Sequence, residues 1–444
     1  MAAIAKPDGG IRLIHDCSRP SGLAVNDFVK MMDKHKFQTV DDAVKLVTKN
    51  SYMAKVDLKS AYRSVRLSNK SQQVTGFRWT FPDGKQHILV DKKLPFGSKL
   101  APGIFHRISQ AVRRMMSRRG FEIVAYIDDF FICESSKERC QLALYTLITL
   151  LRKLGFLINW SKVVDPTKKL TFLGVEIDSI AMELRLSEDK LSVLQSELAA
   201  FCERKHASKK QLQSLAGKLN WASAVVRGGR VFLRRIIDGI AALKQDWHKA
   251  LINGEIKQDI IWWRDFISTF NGKAMILDHI PITTVYTDAC KTGAGGLFDQ
   301  DWFYVNWQED YPFASNLHIN EMEAFTVVLS ALRWAHHWQN KRVIICSDNM
   351  ATVHCINKCT SRNKLLMSYL RQLFWKSANF NFHLTAIHVP GQNNILADHI
   401  SRLHETKSFV SFLHGCLPQP LYVQHLTPNM SANSLNFLLA THMN

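Results

Sequence analysis

The stretch FEIVAYIDDFFIC, from Phe121 to Cys133, decides the fold of the first half of the chain. Two apolar, β-rich runs flank Asp128 and Asp129, which places both acids in the tight turn of a hairpin. An upstream run, YMAKVDL, ends in the same way at Asp57. A single Asp-Asp turn is usually a solvated hairpin tip, but acids among Val, Ile and Phe are costly to bury unless cations offset their charge. The three acids together therefore predict a metal-binding site.

This arrangement resembles the palm of reverse transcriptases. The YIDD sequence ending at Asp129 is similar to their palm motif, and Asp57 with Tyr62 five positions later is similar to the preceding metal-binding motif. The resemblance implies that Asp57 and Asp128 are the principal ligands of two Mg²⁺ ions, with Mn²⁺ as a substitute and Asp129 in a supporting role. It also implies that Tyr62 lies under the sugar and selects deoxynucleotides.

Other stretches resemble the same family in the same order. LPFGSKLAP is similar to the segment that lines the nucleotide, with Phe96 and Gly97 at its working positions. GGIRLIHD places Arg12, together with Lys6, where the fingers bind the incoming triphosphate. LGFLINWSK supplies Lys162 as a general acid toward pyrophosphate. Each basic residue alone is more typical of surface charge, and their order along the chain favours the binding role.

A second set of acids lies in another α/β pattern after Thr283. Its members are Asp288 in VYTDACKTGAGG, Glu323 in HINEMEAF, Asp348 in VIICSDN and Asp398 in ADHISR. Strand ends and helix turns can bring these four acids to one end of a sheet. The pattern resembles ribonuclease H, which implies two further Mg²⁺ ions held by these acids. His388, ten residues before Asp398, matches the mobile histidine that helps the product leave that family's site.

The assignment of Glu323 has alternatives. We predict a helix from about Asn320 to His337, and Asn320 with Glu323 also spells a capping box. Sliding the alignment by two residues would make Glu321 the catalytic acid instead. We prefer Glu323 because it lies where the family's acid stands, although the sequence leaves Glu321 open.

A cluster of arginines lies between the two acidic sets. Its members are Arg227, Arg230, Arg234 and Arg235 in RGGRVFLRR. Steps of three and four predict that the first three share one helix face, with Arg235 beside them and Trp221 one or two turns before. A run of like charge can be merely a solvated face. If it binds nucleic acid, it contacts the backbone of a duplex without sequence preference.

The composition supports a polyanionic partner. The 57 Lys and Arg residues exceed the 38 Asp and Glu residues, which gives a net charge of +19. The longest apolar run, about Leu142 to Leu151, is too short to span a membrane, so we predict no membrane partner. The start of the chain has no secretion signal, which predicts a cytoplasmic or nuclear protein. Nine scattered cysteines predict neither disulfides nor zinc fingers.

These patterns predict an α+β fold: a right-hand polymerase palm and fingers, a helical thumb or connection, and an α/β ribonuclease H-like domain. The expected boundaries are 1–180 for fingers and palm, 181–278 for the helical part, 279–405 for the ribonuclease H-like domain and 406–444 for a weakly ordered tail. The fingers look shortened at their amino-terminal end.

We therefore expect an enzyme with two activities, a reverse transcriptase and a ribonuclease H, from a retrotransposon. Its expected partners are an RNA template, a DNA primer, RNA–DNA hybrid and dNTPs, while the oligomeric state stays open. The phrases RLIHDCSRP, IHVPG and ADHISR resemble the DIRS-type or a related retrotransposon lineage. The alternative is a truncated or decayed retroelement protein that binds nucleic acid, with ribonuclease H activity only or with none.

Overall fold

The computed structural model describes residues 2–5, 10–30, 36–226, 228–270, 273–276 and 283–404. It divides the chain into two compact units, Met1–Ser187 and Glu188–Asn444. Two of the predicted site residues, Lys6 and Arg227, and the predicted tail lie outside the described residues.

The first unit alternates short strands with helices. Its strands are β1 (Ala2–Ala5), β2 (Ile11–Ile14), β3 (Tyr52–Asp57), β4 (Gly76–Thr80), β5 (Gln86–Val90), β6 (Ile123–Tyr126), β7 (Asp129–Glu134), β8 (Val164–Thr167), β9 (Lys169–Phe172), β10 (Val175–Asp178) and β11 (Glu183–Leu186). Its α-helices are α1 (Val25–Phe28), α2 (Val40–Val44), α3 (Ala61–Ser64), α4 (Asn69–Gln72), α5 (Ala101–Ser117) and α6 (Lys137–Lys153), and a 3₁₀ turn covers Trp160–Lys162.

The centre of this unit is a four-stranded sheet in the order β6-β7-β3-β8. Helices α5 and α6 pack against it and bury side chains such as Val56, Phe105, Phe130 and Leu147. Burying a side chain of this size contributes about 1.5–3 kcal/mol, so the sheet and its two helices hold their strand ends rigidly. The predicted hairpin around the Asp-Asp turn forms as β6 and β7.

The second unit begins with helices. Its α-helices are α7 (Glu188–Glu203), α8 (Lys209–Ala222), α9 (Arg234–Ala241), α10 (Gly254–Phe270), α11 (Trp307–Asp310), α12 (Ile319–Trp334), α13 (Met350–Lys358), α14 (Lys364–Phe380) and α15 (Ile395–Ser401). Its strands are β12 (His206–Ser208), β13 (Lys249–Leu251), β14 (Lys273–Met275), β15 (Thr283–Ala289), β16 (Gly293–Phe298), β17 (Asp301–Asn306), β18 (Arg342–Ser347) and β19 (His383–His388). Short 3₁₀ turns cover Gly229–Leu233, Pro312–Asn316, Ala335–Trp338 and Gly391–Asn393.

The part predicted to be helical, residues 181–278, also contains strands, because β12 and β13 pair there as a two-stranded ribbon. Each strand has three residues, which is too short to produce a recognisable alternation of polar and apolar side chains. The helix predicted for residues 320–337 is α12 followed by a 3₁₀ turn.

The second unit also contains a five-stranded mixed sheet in the order β17-β16-β15-β18-β19. Strands β15, β18 and β19 run parallel, and β16 and β17 form an antiparallel edge. Helix α15 packs closely on β16, where a Cβ at Gly295 would lie 2.8 Å from the backbone nitrogen of Ser401. The glycine-rich strand β16 therefore lets the last helix lie close to the end of the central strand β15 that carries Asp288.

The helical part and the mixed sheet of this unit share a packed joint. Phe232 stacks on Trp262, with ring centroids 3.6 Å apart, and both rings lie edge-on to Phe374 of α14. Beside them, the buried Asp259 of α10 pairs with Arg235 and Arg371. The contact joins elements on both sides of the predicted boundary at residue 278.

Candidate active sites

The first acidic set lies at the ends of β3 and β7. Asp57 and Asp129 are register partners across the two strands, and Asp128 lies in the two-residue turn that joins β6 to β7. The other turn residue, Ile127, has a φ of +53°, a left-handed conformation that is strained for a β-branched side chain. The hairpin therefore holds Ile127, next to Asp128, in a backbone conformation that isoleucine rarely adopts.

The carboxylates of this first set repel one another. Burial, followed by repulsion from Asp128 and Asp57, raises the pKa of Asp129 to about 7. Lys162 Nζ lies 3.2 Å from one carboxylate oxygen of Asp57, and Asn159 donates to the other oxygen at 2.9 Å. Sequence reasoning missed Asn159, whose only signal is its position three residues before Lys162.

The predicted nucleotide wall forms around Tyr62. Its ring centroid lies 4.9 Å from that of Phe96, and burial, with Asp128 as the next cause, raises the pKa of its hydroxyl to about 12. Gly97 has a φ of +116°, and a Cβ there would lie 1.8 Å from the carbonyl oxygen of His15. Only glycine permits this backbone approach, which fixes Phe96 beside Tyr62.

A second interaction near Tyr62 was not predicted. Arg63 donates to both carboxylate oxygens of the buried Asp91, at 2.6 and 2.5 Å. Asp91 also accepts from the backbone N–H of Lys93, close to the segment that contains Phe96. The pair connects α3 to the base of the β4–β5 hairpin. Arg12, predicted to bind the triphosphate, lies on β2.

The second acidic set converges in the mixed sheet. Asp288 lies on β15, Asp348 follows β18 and Glu323 lies on α12, and each offers an oxygen within 4.8 Å of the other two. No other group of three possible ligands meets this criterion within the described ranges, the first acidic set included. Asp288 and Glu323 are buried, whereas Asp348 is more exposed.

Burial and mutual repulsion disfavour the charged forms of these acids. The pKa of Glu323 is raised well above its usual range, first by burial and then by Asp288 and Asp348. Burial raises the pKa of Asp288 to about 7, although Ser401 Oγ donates to it at 2.8 Å. Glu323 accepts from the backbone N–H of Ala289 at 3.2 Å. Neutral donors thus hold both carboxylates in place, and Arg402 offsets only part of the repulsion that acts on Asp288.

The structure separates Glu321 from this cluster. The helix cap is His318, and Glu321 accepts from its backbone N–H at 2.9 Å to complete a capping box. Asn363 donates to the other oxygen of Glu321 at 2.7 Å. The alternative capping box of Asn320 and Glu323 is therefore wrong, because the helix starts earlier than the polar residues suggested.

The two remaining members of the second set lie at its edge. Asp398 of α15 is half-buried and pairs with Arg402 at 3.0 Å, and it is close enough to Asp288 to raise the pKa of that acid. His388 ends β19 and is exposed. A Cβ at Gly391, in the turn that follows, would lie 3.3 Å from Asp348 Oδ2. The turn after His388 thus approaches the acidic cluster.

The described members of the predicted arginine face do not lie on one helix. Arg230 lies in a 3₁₀ turn, whereas Arg234 and Arg235 begin α9. Arg234 pairs with Asp238, and Arg235 pairs with the buried Asp259. Helix α8 ends at Ala222, and Gly228, with a left-handed φ of +77°, precedes a 3₁₀ turn, so the helical spacing that the prediction assumed is absent here. Arg230 remains exposed.

Both acidic sets fit divalent cations. All their ligand atoms are carboxylate oxygens, which Mg²⁺ prefers, and the raised pKa values of Asp129 and Asp288 show charge that a cation would relieve. Asp57, Asp128 and Asp129 would hold metal in the first unit. Asp288, Glu323, Asp348 and Asp398 would hold it in the second. Three acids of the second set already lie close enough together to share a cation. In the first set, Lys162 and Asn159 hydrogen-bond to the two carboxylate oxygens of Asp57.

Similarity to known proteins covers most of the chain. Residues 4–177 match the family model for reverse transcriptase (RNA-dependent DNA polymerase). The chain is 23% identical over 384 residues to the enzymatic polyprotein of Carnation etched ring virus, covering 82% of this chain and 53% of that protein. It is 21% identical over 422 residues to the transposon Tf2-3 polyprotein of Schizosaccharomyces pombe, covering 90% and 28%. It thus spans about half or less of these relatives.

A solved structure gives the same fold. The foamy viral protease–reverse transcriptase dRH in complex with double-stranded DNA aligns with a TM-score of 0.52 and 17% identity. The alignment covers 87% of this chain and 64% of that one. The likeness confirms the mixed α/β fold class predicted from the sequence. None of the described helices is long and apolar enough to cross a membrane.

Proposed function

We propose that the chain copies RNA into DNA and cleaves the RNA strand of RNA–DNA hybrids. The observation that carries this proposal is that a set of mutually repelling carboxylates, at least one of them buried, lies at the strand ends of each of two sheets. Asp57 faces Asp129 in one sheet, and Asp288 meets Glu323 and Asp348 beside the other. Phosphoryl transfer by two metal ions needs such carboxylate sets, and a chain that carries two of them is suited to two such reactions.

At the polymerase site, Mg²⁺ or Mn²⁺ ions bound by Asp57, Asp128 and Asp129 would neutralise phosphate charge and favour the ionised primer 3′-hydroxyl. Tyr62 would exclude a 2′-hydroxyl, because Phe96 and the backbone at Gly97 leave its ring little room to move aside. Lys162 would protonate the departing pyrophosphate from its place beside Asp57. Contacts of Lys6 and Arg12 with the triphosphate stay predictions.

At the ribonuclease site, Glu323 is held by the N–H of Ala289 and Asp288 by the hydroxyl of Ser401. These donors orient carboxylate oxygens toward a common point, which is the positioning that metal-assisted hydrolysis requires. Asp398 would complete the ligand set after releasing Arg402. His388 would assist product release from the exposed end of β19.

The proposed substrates are an RNA template with a DNA primer, dNTPs and RNA–DNA hybrid. The solved foamy viral relative is a complex with double-stranded DNA, and the net charge of +19 suits such polyanions. Because the arginines predicted to contact nucleic acid are partly ion-paired within the protein, other basic side chains must supply much of this contact.

Primer extension on an RNA template, with Mg²⁺ and dNTPs, tests the proposal. The intact chain is compared with Asp128→Asn and Asp348→Asn while the same gel follows cleavage of a labelled RNA strand. We expect Asp128→Asn to lose extension only and Asp348→Asn to lose cleavage only. Asp41→Asn, at an exposed helix position, is the matched control. Extension that survives Asp128→Asn would contradict the proposed site.

A second candidate function is ribonuclease H activity alone. It is favoured by one observation: within the described residues, only the second acidic set already brings three ligand oxygens within 4.8 Å. The same gel separates the candidates, because RNA cleavage without extension by the intact chain would select the ribonuclease alone.

The narrower assignment to a DIRS-type lineage also stays a proposal, supported by RLIHDCSRP and ADHISR. A phylogenetic tree of the matched domain tests it. Grouping with the Tf2 transposons instead would contradict it.

A further inference from the structure

We infer that the ribbon of β12 and β13, with the start of α8, forms a binding surface for single-stranded nucleic acid. Its central feature is Trp247, whose side chain is 71% exposed. A groove of about 680 Å³ lies beside it, lined by residues that include Ser208, Lys210, Gln211, Asp246, Trp247 and Lys249. We call this the Trp247 groove.

The backbone holds the groove together from two directions. Strand pairing sets Ser208 opposite Lys249, and the N–H of Lys210 donates to the carbonyl of Asp246 at 3.3 Å. These bonds bring the first turn of α8 beside Trp247, although the two segments are more than thirty residues apart in sequence. The groove therefore depends on tertiary structure, which fixes the positions of its lysines relative to the indole of Trp247.

The groove is strongly basic. Residues 204–210 and 244–249 contain six Lys and Arg side chains and one acid, Asp246. Lys210 and Lys249 are exposed or nearly so, and neither has an ion-pair partner in the part of the chain that the structure describes. By contrast, Arg234 and Arg235 are paired with acids. These lysines are consequently available to phosphates.

An exposed indole between free lysines favours a single strand over a duplex. Leaving an indole of this size in water is costly unless a partner covers it, and a nucleic-acid base offers a flat face for stacking. Bases in a duplex stack on one another and present only their edges, whereas an unpaired strand presents faces and phosphates together. The inference rests on the proposed function, because a polymerase must hold unpaired template.

Binding of labelled oligo-dT, oligo-U and a blunt duplex of matched length to the full chain tests the inference. Fluorescence anisotropy in EDTA measures affinity without any turnover. We expect Trp247→Ala to weaken binding of oligo-dT or oligo-U by about 5- to 100-fold, the range for loss of one stacked base, and to leave duplex binding nearly unchanged. Trp247→Phe should retain most of the affinity, since it keeps an aromatic face.

The charge contribution has its own variant and control. Lys210→Gln with Lys249→Gln should lower the salt dependence of single-strand binding by about 0.7 per contacted phosphate. Tyr145→Ala, which removes a 67% exposed ring from α6, and Lys137→Gln should leave affinity unchanged. All these positions are at the surface, and thermal unfolding checks that each variant folds.

Three outcomes are distinguishable. If Trp247→Ala and the double lysine variant both bind single strands as tightly as the intact chain, the inference is overturned. The proposed function is then unaffected. Equal losses on duplex and single strand would overturn the single-strand assignment. If the intact chain binds none of the three probes at low salt, the proposed function fails together with the inference.

Discussion

Lys162 Nζ lies 3.2 Å from Asp57 Oδ2, so the proposed general acid of the polymerase site is ion-paired to a proposed metal ligand. Asp57 is buried, and Asn159 holds its other oxygen. The ion pair offsets part of the repulsion between Asp57 and its register partner Asp129. A cation that binds Asp57 must compete with Lys162, which would free the ammonium to face the pyrophosphate.

Replacing Lys162 by Met should therefore separate metal binding from turnover. We expect the maximal rate of primer extension to fall by about 100-fold, the usual contribution of a general acid, while half-saturation occurs at lower Mg²⁺ concentration. Titrating Mg²⁺ in the extension assay measures both quantities. Lys169→Met, which breaks an ion pair with Glu176, is the control and should change neither. An unchanged rate of extension would show that Lys162 is not the general acid.

Glu321 and Glu323 should respond in opposite ways to substitution. Glu323→Gln should reduce RNA cleavage by at least about 100-fold without loss of stability in EDTA, because it neutralises a buried and repelled carboxylate. Glu321→Ala should lower the free energy of unfolding by about 0.5–2 kcal/mol through loss of the helix cap, with cleavage retained. Hybrid cleavage and urea unfolding measure these effects. Loss of cleavage in Glu321→Ala at full folding would reverse the assignment.

The sequence predicted the strands and helices that carry the acidic residues better than it predicted the contacts between these elements. The Asp-Asp hairpin and the acids of the second sheet follow from local alternation and resemblance. The choice between Glu323 and Glu321 did not follow, because it depends on where α12 starts and thus on the cap at His318. The prediction of an arginine face was wrong because α8 ends at Ala222 and a 3₁₀ turn covers Gly229–Leu233, so the spacing is not that of one continuous helix.

Contacts between residues that are distant in the chain could not be predicted from the sequence pattern. Arg63 and Asp91 are joined by the β4–β5 hairpin, and nothing in either segment alone indicates a bidentate contact. The Trp247 groove likewise depends on pairing between two three-residue strands. Such features arise from tertiary packing, which one sequence read by pattern does not specify.

Divalent metal should stabilise the chain more at pH 8 than at pH 6. Burial raises the pKa of Asp288 to about 7 and that of Glu323 well above its usual range, so folding without metal favours the protonated forms. Their ordinary pKa values in the unfolded chain lie near 4. The folded state therefore binds more protons between about pH 4 and 7, and metal-free stability falls as pH rises through that window.

Mg²⁺ reverses this trend because it binds the ionised carboxylates and displaces their protons. Thermal unfolding in EDTA and in excess Mg²⁺, at the two pH values, measures the difference. The double variant Asp288→Asn with Glu323→Gln should lose most of the Mg²⁺ effect attributable to the second unit, and Asp41→Asn should keep it. An Mg²⁺ shift in Tm that is equal at both pH values would contradict the prediction.

Arg371 should be essential to the stability of the second unit. Asp259 is 1% exposed, its Oδ1 lies 3.2 Å from Arg235 and 3.6 Å from Arg371, and burial raises its pKa to about 7 despite both cations. Removing one partner from a buried ionic cluster leaves charge uncompensated, so Arg371→Leu should lower the free energy of unfolding by about 3 kcal/mol. Urea unfolding of the full chain measures the loss.

Arg264→Leu is the control, because Arg264 lies on α10, the helix that carries Asp259, but pairs with the exposed Asp265, and it should leave the free energy of unfolding nearly unchanged. Arg371→Leu combined with Asp259→Leu should recover much of the stability, since no buried charge is then left unpaired at that position. Because the cluster and the neighbouring Phe232–Phe374 contact cross residue 278, the fragment 283–403 alone should unfold at lower urea concentration than the second unit in the intact chain. Equal midpoints would show that the ribonuclease H-like part is stable without this joint.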